Sequence, residues 1–343
     1  MLAYIGKKCR SSGSNNHDPK HKEGVKEMTK GMLAVFSVLT CLAGVAESRE
    51  LRVGTNIWPG YEPLFVAANR MPNFDSSNIE VQRFFNASEV SSAFEFGLID
   101  VAALTLDEAV MIADKGLDIS IIAVLDVSDG ADKICSTMQE FDVSKAQVAY
   151  EETALGGYFL YKFLEHVGSD ISDVADLISV PVDGHLEAVQ QKMANTFVTF
   201  EPFSTYLKNE GCQEIYNSSV DPYVIIDVLV LSNDQVASGN VSFGQVSDLL
   251  KAWFWALSKV EAQDEAAMAD IMAALGVSKN ELIEIYGELK LPSVTENLDL
   301  FESTILTNRS EDIFKFLQKT QRVRPTGTLH DLNLKLDPKY MRK

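Results

Sequence analysis

Residues 51–67, LRVGTNIWPGYEPLFVA, decide how the rest of the chain is read. Leu51 and Val53 mark a short buried strand, and a turn built on Asn56-Ile57-Trp58-Pro59-Gly60 follows it. A helix is expected to start near Tyr61-Glu62-Pro63, with proline in the first turn, where its missing N–H costs nothing. Strand, glycine turn and helix start together leave backbone N–H groups facing open space beside two aromatic rings. Such a corner suits an anionic or polar ligand. The alternative is that Trp58 and Tyr61 simply cover the end of a sheet.

At 343 residues the chain is long enough for two ordinary domains and a sizeable core. Its 46% hydrophobic and 23% charged residues describe a globular protein. The formal charge of −19 argues against nucleic acid and anionic membrane surfaces as partners. It says little about a ligand, because a pocket's local field can oppose the net charge.

The first thirty residues are polar and lysine-rich, and residues 31–46 form an uncharged apolar run ending in Gly44-Val45-Ala46. Lys30 ahead of such a run, with a small-x-small end, is the pattern of a secretory signal peptide ending near Ala46. The run is too short for a confident membrane span. Met28 is an alternative start, and Cys41 an alternative lipidation point, for which Thr40 is a poor fit. After cleavage only Cys135 and Cys212 remain. Spacing does not tell whether their Cα atoms come close, and the expectation is two separate buried thiols.

Strand and helix patterns then alternate. A strand at 79–85 precedes a helix capped by Asn86 with Glu89 and closed by Gly97. A strand at 100–104 leads into Thr105-Leu106-Asp107-Glu108, which has capping-box spacing. Residues 119–127 are near-continuously apolar, as in a strand buried on both faces. A second cycle places strands at 147–150, 177–182, 196–200 and 224–231, with helices at 156–167, 185–193 and 203–209. Beyond Ser232 only helices are expected: 245–260, 265–275, 279–289, 294–306 and 311–319. The order implies right-handed crossovers and mostly parallel sheets in an α/β chain of two lobes. Residues 1–46 are assigned to an N-terminal extension and signal peptide, and 47–134 with 230–343 to a discontinuous first lobe. Residues 135–229 form the second lobe. Ligands in such sheets bind in the cleft at the strands' carboxyl ends.

No nucleophile elbow, phosphate loop, dinucleotide fingerprint or paired-cysteine motif is present. His166, His185 and His330 lack metal-ligand spacing, so no catalytic residue, metal or cofactor is assigned. The acid pairs Asp107-Glu108 and Glu151-Glu152 suit general acid–base work, but adjacent carboxylates at strand-to-helix turns more often serve as caps. Polar and aromatic residues do recur after the strands: Trp58 and Tyr61, then Thr105 and Asp107, then Ser128 and Asp132. Glu152, Gly156 and Tyr158 follow the next strand, His185 the one after, then Phe200 with Glu201, while Asp227 lies within the returning strand. Together they form a candidate ligand-binding set facing one cleft.

The segment Trp58-Pro59-Gly60-Tyr61-Glu62-Pro63-Leu64 is similar to the first turn of the nitrate/sulfonate/taurine-type solute-binding proteins of ABC importers. That superfamily includes the binding proteins for thiamine's pyrimidine precursor. Gly97-Leu98-Ile99-Asp100-Val101-Ala102, Leu104-Thr105-Leu106-Asp107-Glu108-Ala109 and Ser128-Asp129-Gly130-Ala131-Asp132 resemble its next blocks. Thr199-Phe200-Glu201-Pro202 and Ile226-Asp227-Val228-Leu229-Val230 resemble its later ones. The resemblance covers nearly all of the chain beyond the leader. It departs at Lys192-Met193-Ala194-Asn195-Thr196, where the family has Gly-x-Val-Asp-Ala, leaving the local turn open.

The resemblance implies a type II-like periplasmic binding protein, two parallel-sheet lobes joined by two crossing strands, with a helical tail. It further implies a monomer in the periplasm that delivers a small-molecule ligand to an inner-membrane ABC permease. The alternatives are an enzyme of the thiamine-pyrimidine-precursor synthase type, or a ligand-sensing subunit for a membrane receptor. Carboxylates abound in the candidate site, with Lys133 the single basic neighbour. An amine or pyrimidine-like ligand is therefore expected ahead of a sulfonate or nitrate, which would want cationic partners.

Overall fold

The computed structural model of the protein describes residues 49–74, 78–151 and 155–342. The expected signal peptide, Cys41 and Glu152 lie outside the described residues.

The first α/β cycle runs β1 (Leu51–Thr55), α1 (Glu62–Arg70), β2 (Ile79–Arg83), α2 (Ala87–Glu95), β3 (Val101–Thr105), α3 (Leu106–Asp114) and β4 (Ile119–Ser128). β5 (Asp132–Ser136) and β6 (Gln147–Tyr150) open the second, followed by α4 (Leu155–Val167), β7 (Asp176–Ser179), α5 (His185–Gln190), β8 (Thr196–Phe200), α6 (Phe203–Asn209) and β9 (Gln213–Asn217). The chain returns along β10 (Ile226–Ser232) and the short α7 (Asn233–Ala237). The tail then adds α8 (Phe243–Glu261), α9 (Glu265–Leu275), α10 (Lys279–Gly287), β11 (Leu289–Lys290), α11 (Val294–Glu302), α12 (Ile305–Lys319) and β12 (Leu334–Leu336).

Two sheets result. The larger runs β11-β4-β10-β3-β1-β2 with β12 beside β4, and the smaller runs β7-β6-β8-β5-β9. β1 pairs in parallel with β2 and β3, and β6 with β7 and β8, whereas β10 runs antiparallel between β3 and β4, and β5 antiparallel between β8 and β9, so both sheets are mixed. The connections between sheets are 129–131 and 218–225, and β10 lies wholly in the larger sheet. Two hydroxyls tie the connections together: Ser128 Oγ and Ser218 Oγ are 2.7 Å apart, and Ser218 Oγ accepts from the Gly130 N–H at 2.8 Å.

Strand periodicity divides the core. Val101, Ala103, Leu229 and Leu231 face the side packed by α1, α8 and α9, whereas Ala102, Leu104, Val228 and Val230 face the side packed by α2, α3 and α12. Caps act as their residues foretell. Asn86 accepts from the Glu89 N–H at 3.0 Å, and Gly97 closes α2 with φ +67°, a conformation glycine adopts without penalty.

Four expectations need correction. The tail contributes β11 and β12, strands too short to carry a periodic signal. β9 was not foreseen either. The helices expected at 294–306 and 311–319 instead break between Glu302 and Ile305. Finally, Cys135 and Cys212 are bonded to each other across β5 and the start of β9, with Cα atoms 5.5 Å apart. At the departure from the family pattern, Asn195 holds the turn. Its Oδ1 accepts from the Gln147 N–H at 2.9 Å, and its Nδ2 donates to the Lys145 carbonyl at 3.0 Å.

The edge of β4 between β12 and β11 has no strand beside it, and Asn297 takes that place. Its Oδ1 accepts from the Val124 N–H at 2.7 Å, and its Nδ2 donates to the Val124 and Pro292 carbonyls at 3.0 Å. The side chain is fully buried. Asn297→Ala would leave both Val124 backbone groups unsatisfied in the core, an expected loss of about 2–3 kcal/mol in urea unfolding. Exposed Asn308→Ala should be neutral, and equal stability of the two variants would refute this role.

Candidate ligand-binding site

Strand register sets the first row of the site. Asp227 on β10 sits opposite Thr105 on β3 and, on its other side, opposite Asp126 on β4. Directly opposed residues in antiparallel strands project from the same face with their Cβ atoms about 5 Å apart. An irregularity in the β4–β10 pairing begins right after Asp227, the kind of bulge that re-aims side chains beside sites.

The turn at Trp58-Pro59-Gly60-Tyr61 closes over this row. Trp58 Nε1 donates to Asp126 Oδ2 at 2.9 Å, and the Tyr61 hydroxyl donates to Asp227 Oδ1. The two rings meet edge-on with centroids 6.5 Å apart, and Tyr286 OH donates to the Pro59 carbonyl at 3.0 Å. Gly60 is needed for space: a Cβ there would overlap the Asp126 carboxylate and the Trp58 indole nitrogen.

A narrow pocket lies between these residues and the smaller sheet. The larger sheet and its turns contribute Asn56, Trp58, Tyr61, Thr105, Glu108 and Asp227. Asp132, Glu151, Gly156, Phe159, Thr199 and Phe200 line it from the other side. Two contacts join the walls: Phe200 stands edge-on to Trp58 at 5.5 Å, and Ser88 Oγ donates to Glu151 Oε1 at 2.7 Å. Gly156 lets α4 start against the Glu151 backbone, where a Cβ would press on its carbonyl.

Four carboxyl groups line the cavity, and among the described lining residues there is no lysine, arginine or histidine. Burial pushes Glu108, Asp132 and Asp227 well above the usual carboxylate range, and neighbouring acids push them further. Burial raises Glu151 as well, and it raises Asp126, beneath the Trp58 turn, to about 7. Glu108 Oε1, Asp132 Oδ2, Thr199 Oγ1 and Asp227 Oδ2 are buried with no protein hydrogen-bond partner among the described residues. Aromatic rings thus surround a set of buried carboxyl and hydroxyl groups without protein partners among the described residues.

Of the candidate set, the structure brings Trp58, Tyr61, Thr105, Asp132, Gly156, Phe200 and Asp227 to the cavity wall. Asp107 is buried at the start of α3, raised by burial to about 6, and is not on the wall. Ser128 is spent between the two connections, where it also accepts from the Asp132 N–H at 3.1 Å. Tyr158 packs against Phe316 with centroids 5.3 Å apart. His185 is fully buried against Phe197, near the Val180 carbonyl, and burial lowers it to about 4, leaving it neutral. Glu201 turns away to a separate groove beside Cys135–Cys212, where it accepts from Lys133 Nζ at 2.8 Å.

The wall also includes residues outside the candidate set, among them Asn56, Glu108, Glu151, Phe159 and Thr199. Glu108 does serve as a cap, since its Oε2 accepts from the Thr105 N–H at 2.9 Å, but its other oxygen faces the cavity. Asp126 had a visible signal as the lone acid in an otherwise apolar buried strand. Gly60→Ala is expected to cost about 1–3 kcal/mol, as overpacking does, and to change the tryptophan near-UV circular dichroism. Unchanged stability and spectrum would show that the turn does not sit against Asp126.

The model of the NMT1-like family matches residues 44–273. No curated protein matches the chain. Among solved structures, the alkanesulfonate-binding protein SsuA from Xanthomonas axonopodis pv. citri, bound to MOPS, superposes with a TM-score of 0.68. The identity is 11%, over 85% of this chain and all of that one. A ligand-binding component of an ABC-type import system from Staphylococcus aureus, with zinc bound, gives 0.68 at 15% identity, over 86% of this chain and 98% of that one. The periplasmic nitrate-binding protein NrtA from Synechocystis PCC 6803 gives 0.57 at 13%, over 82% and 92%. At such identities the likeness establishes the two-lobed binding-protein fold alone, in agreement with the resemblance seen in the motifs. The family match spans more than half the residues, and the chain belongs to the NMT1-like family.

Proposed function

We propose that this protein is the substrate-binding component of an ABC importer. In this reading it acts in the periplasm as a monomer and presents its ligand to an inner-membrane permease. Its lobes divide at residues 129–131 and 218–225, and the ligand is a small nitrogen compound, cationic or rich in N–H donors. The observation that carries the ligand class is the cavity wall: four buried carboxyls and no base among the described lining residues. Orphaned oxygens on Glu108, Asp132, Thr199 and Asp227 call for donors. Trp58, Tyr61, Phe159 and Phe200 supply ring faces and edges suited to a flat or cationic group.

The sulfonate and nitrate of the structural neighbours would need the reverse arrangement, cationic side chains or free N–H groups aimed at them. The Cys135–Cys212 bond fits an oxidising compartment, as export requires. The synthase-type alternative draws on a histidine and a cysteine cluster. Here the two cysteines hold each other, and His185 lies behind the wall.

Thermal shift against putrescine, choline and 4-aminopyrimidine, with taurine, nitrate and bicarbonate as competitors, tests the ligand class. A compound at 100 times its Kd should add about 2.7 kcal/mol of stability. Asp132→Asn should weaken a cationic binder at least tenfold while the fold survives. Shifts from the anions alone would overturn the proposed class.

A further inference from the structure

Asp126 and Asp227 lie abreast on β4 and β10, and strand pairing holds them there. They are 0% and 2% exposed, and their carboxyl groups are within hydrogen-bonding reach of each other. Each has one oxygen spoken for, Asp126 Oδ2 by Trp58 and Asp227 Oδ1 by Tyr61. Asp126 Oδ1 and Asp227 Oδ2 are left without a protein donor. Two carboxylates so placed cannot both be ionised at low cost, and a single proton between them would satisfy both remaining oxygens.

Among the described residues the charged and titratable surroundings are mostly further acids, with Arg322 acting on Asp107. The turn above supplies Tyr61, whose phenol burial holds neutral, and α10 supplies Tyr286, likewise raised by burial. From α3 come Asp107 and Glu108, and from β5 comes Asp132, all further acids. Lys133, beside Asp132 on β5, donates instead to Glu201 at 2.8 Å and Glu288 at 3.1 Å. Asp227 alone of the pair reaches the cavity wall, so it is the member a ligand can touch.

Resting on the cationic-ligand reading, we propose that Asp126 and Asp227 share one proton in the empty protein and that the ligand's cationic nitrogen takes that proton's place. The nitrogen approaches Asp227 from the cavity, the shared O–H bond breaks, and the proton leaves to solvent. No other bond changes. One positive charge enters as one leaves, so the buried pair keeps its charge balance and capture becomes coupled to pH. Asp126, which does not line the cavity, is a positioning residue: in the empty protein it holds Trp58 by one oxygen and the shared proton by the other, and after the exchange its charge faces the ligand's nitrogen across Asp227.

Two measurements separate this from the reading it rests on. Infrared titration of the ligand-free protein needs no ligand. At pH 6 the spectrum should hold a protonated-carboxyl component, beside those of Glu108 and Asp132, that Asp126→Asn and Asp227→Asn each remove from the difference spectrum. In the same samples stability should fall as pH rises through about 7, because a carboxyl raised in the folded state binds its proton more tightly there than in the unfolded chain. Absence of this component overturns the proposal.

Calorimetry with putrescine and choline, both cationic throughout pH 5–7, is run in two buffers of different ionisation enthalpy. About one proton should be released per cation bound, with Kd falling about tenfold per pH unit. In Asp126→Asn the amide can donate to Asp227 as the acid did, so binding should weaken and lose its pH slope. Binding with no proton released overturns the exchange and leaves the cationic class standing. If neither cation binds although the infrared component is present, the cationic class fails and the exchange fails with it.

Discussion

Asp126 is the residue on which the geometry of this protein turns. It is the single acid in β4, a strand buried along its whole length, and its side chain meets Trp58 and Asp227. Its Oδ2 takes the Trp58 N–H, which positions the first turn, and Gly60 is glycine so that the turn can come that close. Its neighbour Asp227 takes Tyr61. Without the acid the Trp58 N–H loses its acceptor, while Tyr61 on Asp227 and Tyr286 on the Pro59 carbonyl still hold the turn. A strand position that ought to be apolar is thus what organises the site.

Elsewhere the chain treats buried acids in the usual way. Asp100 is fully buried, and hydrogen bonds from Arg52 and Arg49 outweigh its burial and hold it below the ordinary carboxylate range. Glu62 has Arg83, and Asp114 has Arg324. The sequence therefore has bases to spend and places them well. None of these bases is among the described residues that line the cavity.

Much of this was legible beforehand. Alternating strands and helices, the Asn86 cap, the Gly97 stop and the Trp58 turn all follow from local chemistry, and so do Asp132 and Asp227 as wall residues. Glu151 and Thr199 were not legible, because which of two adjacent acids, or which residue of an alternating strand, faces a cavity depends on the partner sheet. That Ser128 meets Ser218, ninety positions on, was not legible for a similar reason, because a polar residue after a strand serves a ligand or a connection alike. β11 and β12 exist only because β4 has an edge to fill, and the Cys135–Cys212 bond only because β5 and β9 are neighbours. Non-local pairing leaves no periodic trace.

The position of α12 has a mechanical meaning. It packs on α3, which covers the larger sheet, and on α4, which covers the smaller. Its contacts with α4 are mainly ring faces, Tyr158 and Tyr161 against Phe316, with Lys319 over Tyr161. Such surfaces resist separation yet tolerate sliding, as a greased bearing does. Any parting of the sheets that admits a ligand would break the few directional bonds at the mouth, such as Ser88 to Glu151, while α12 keeps the two halves in touch. The chain's last long helix thereby links the helical covers of both sheets.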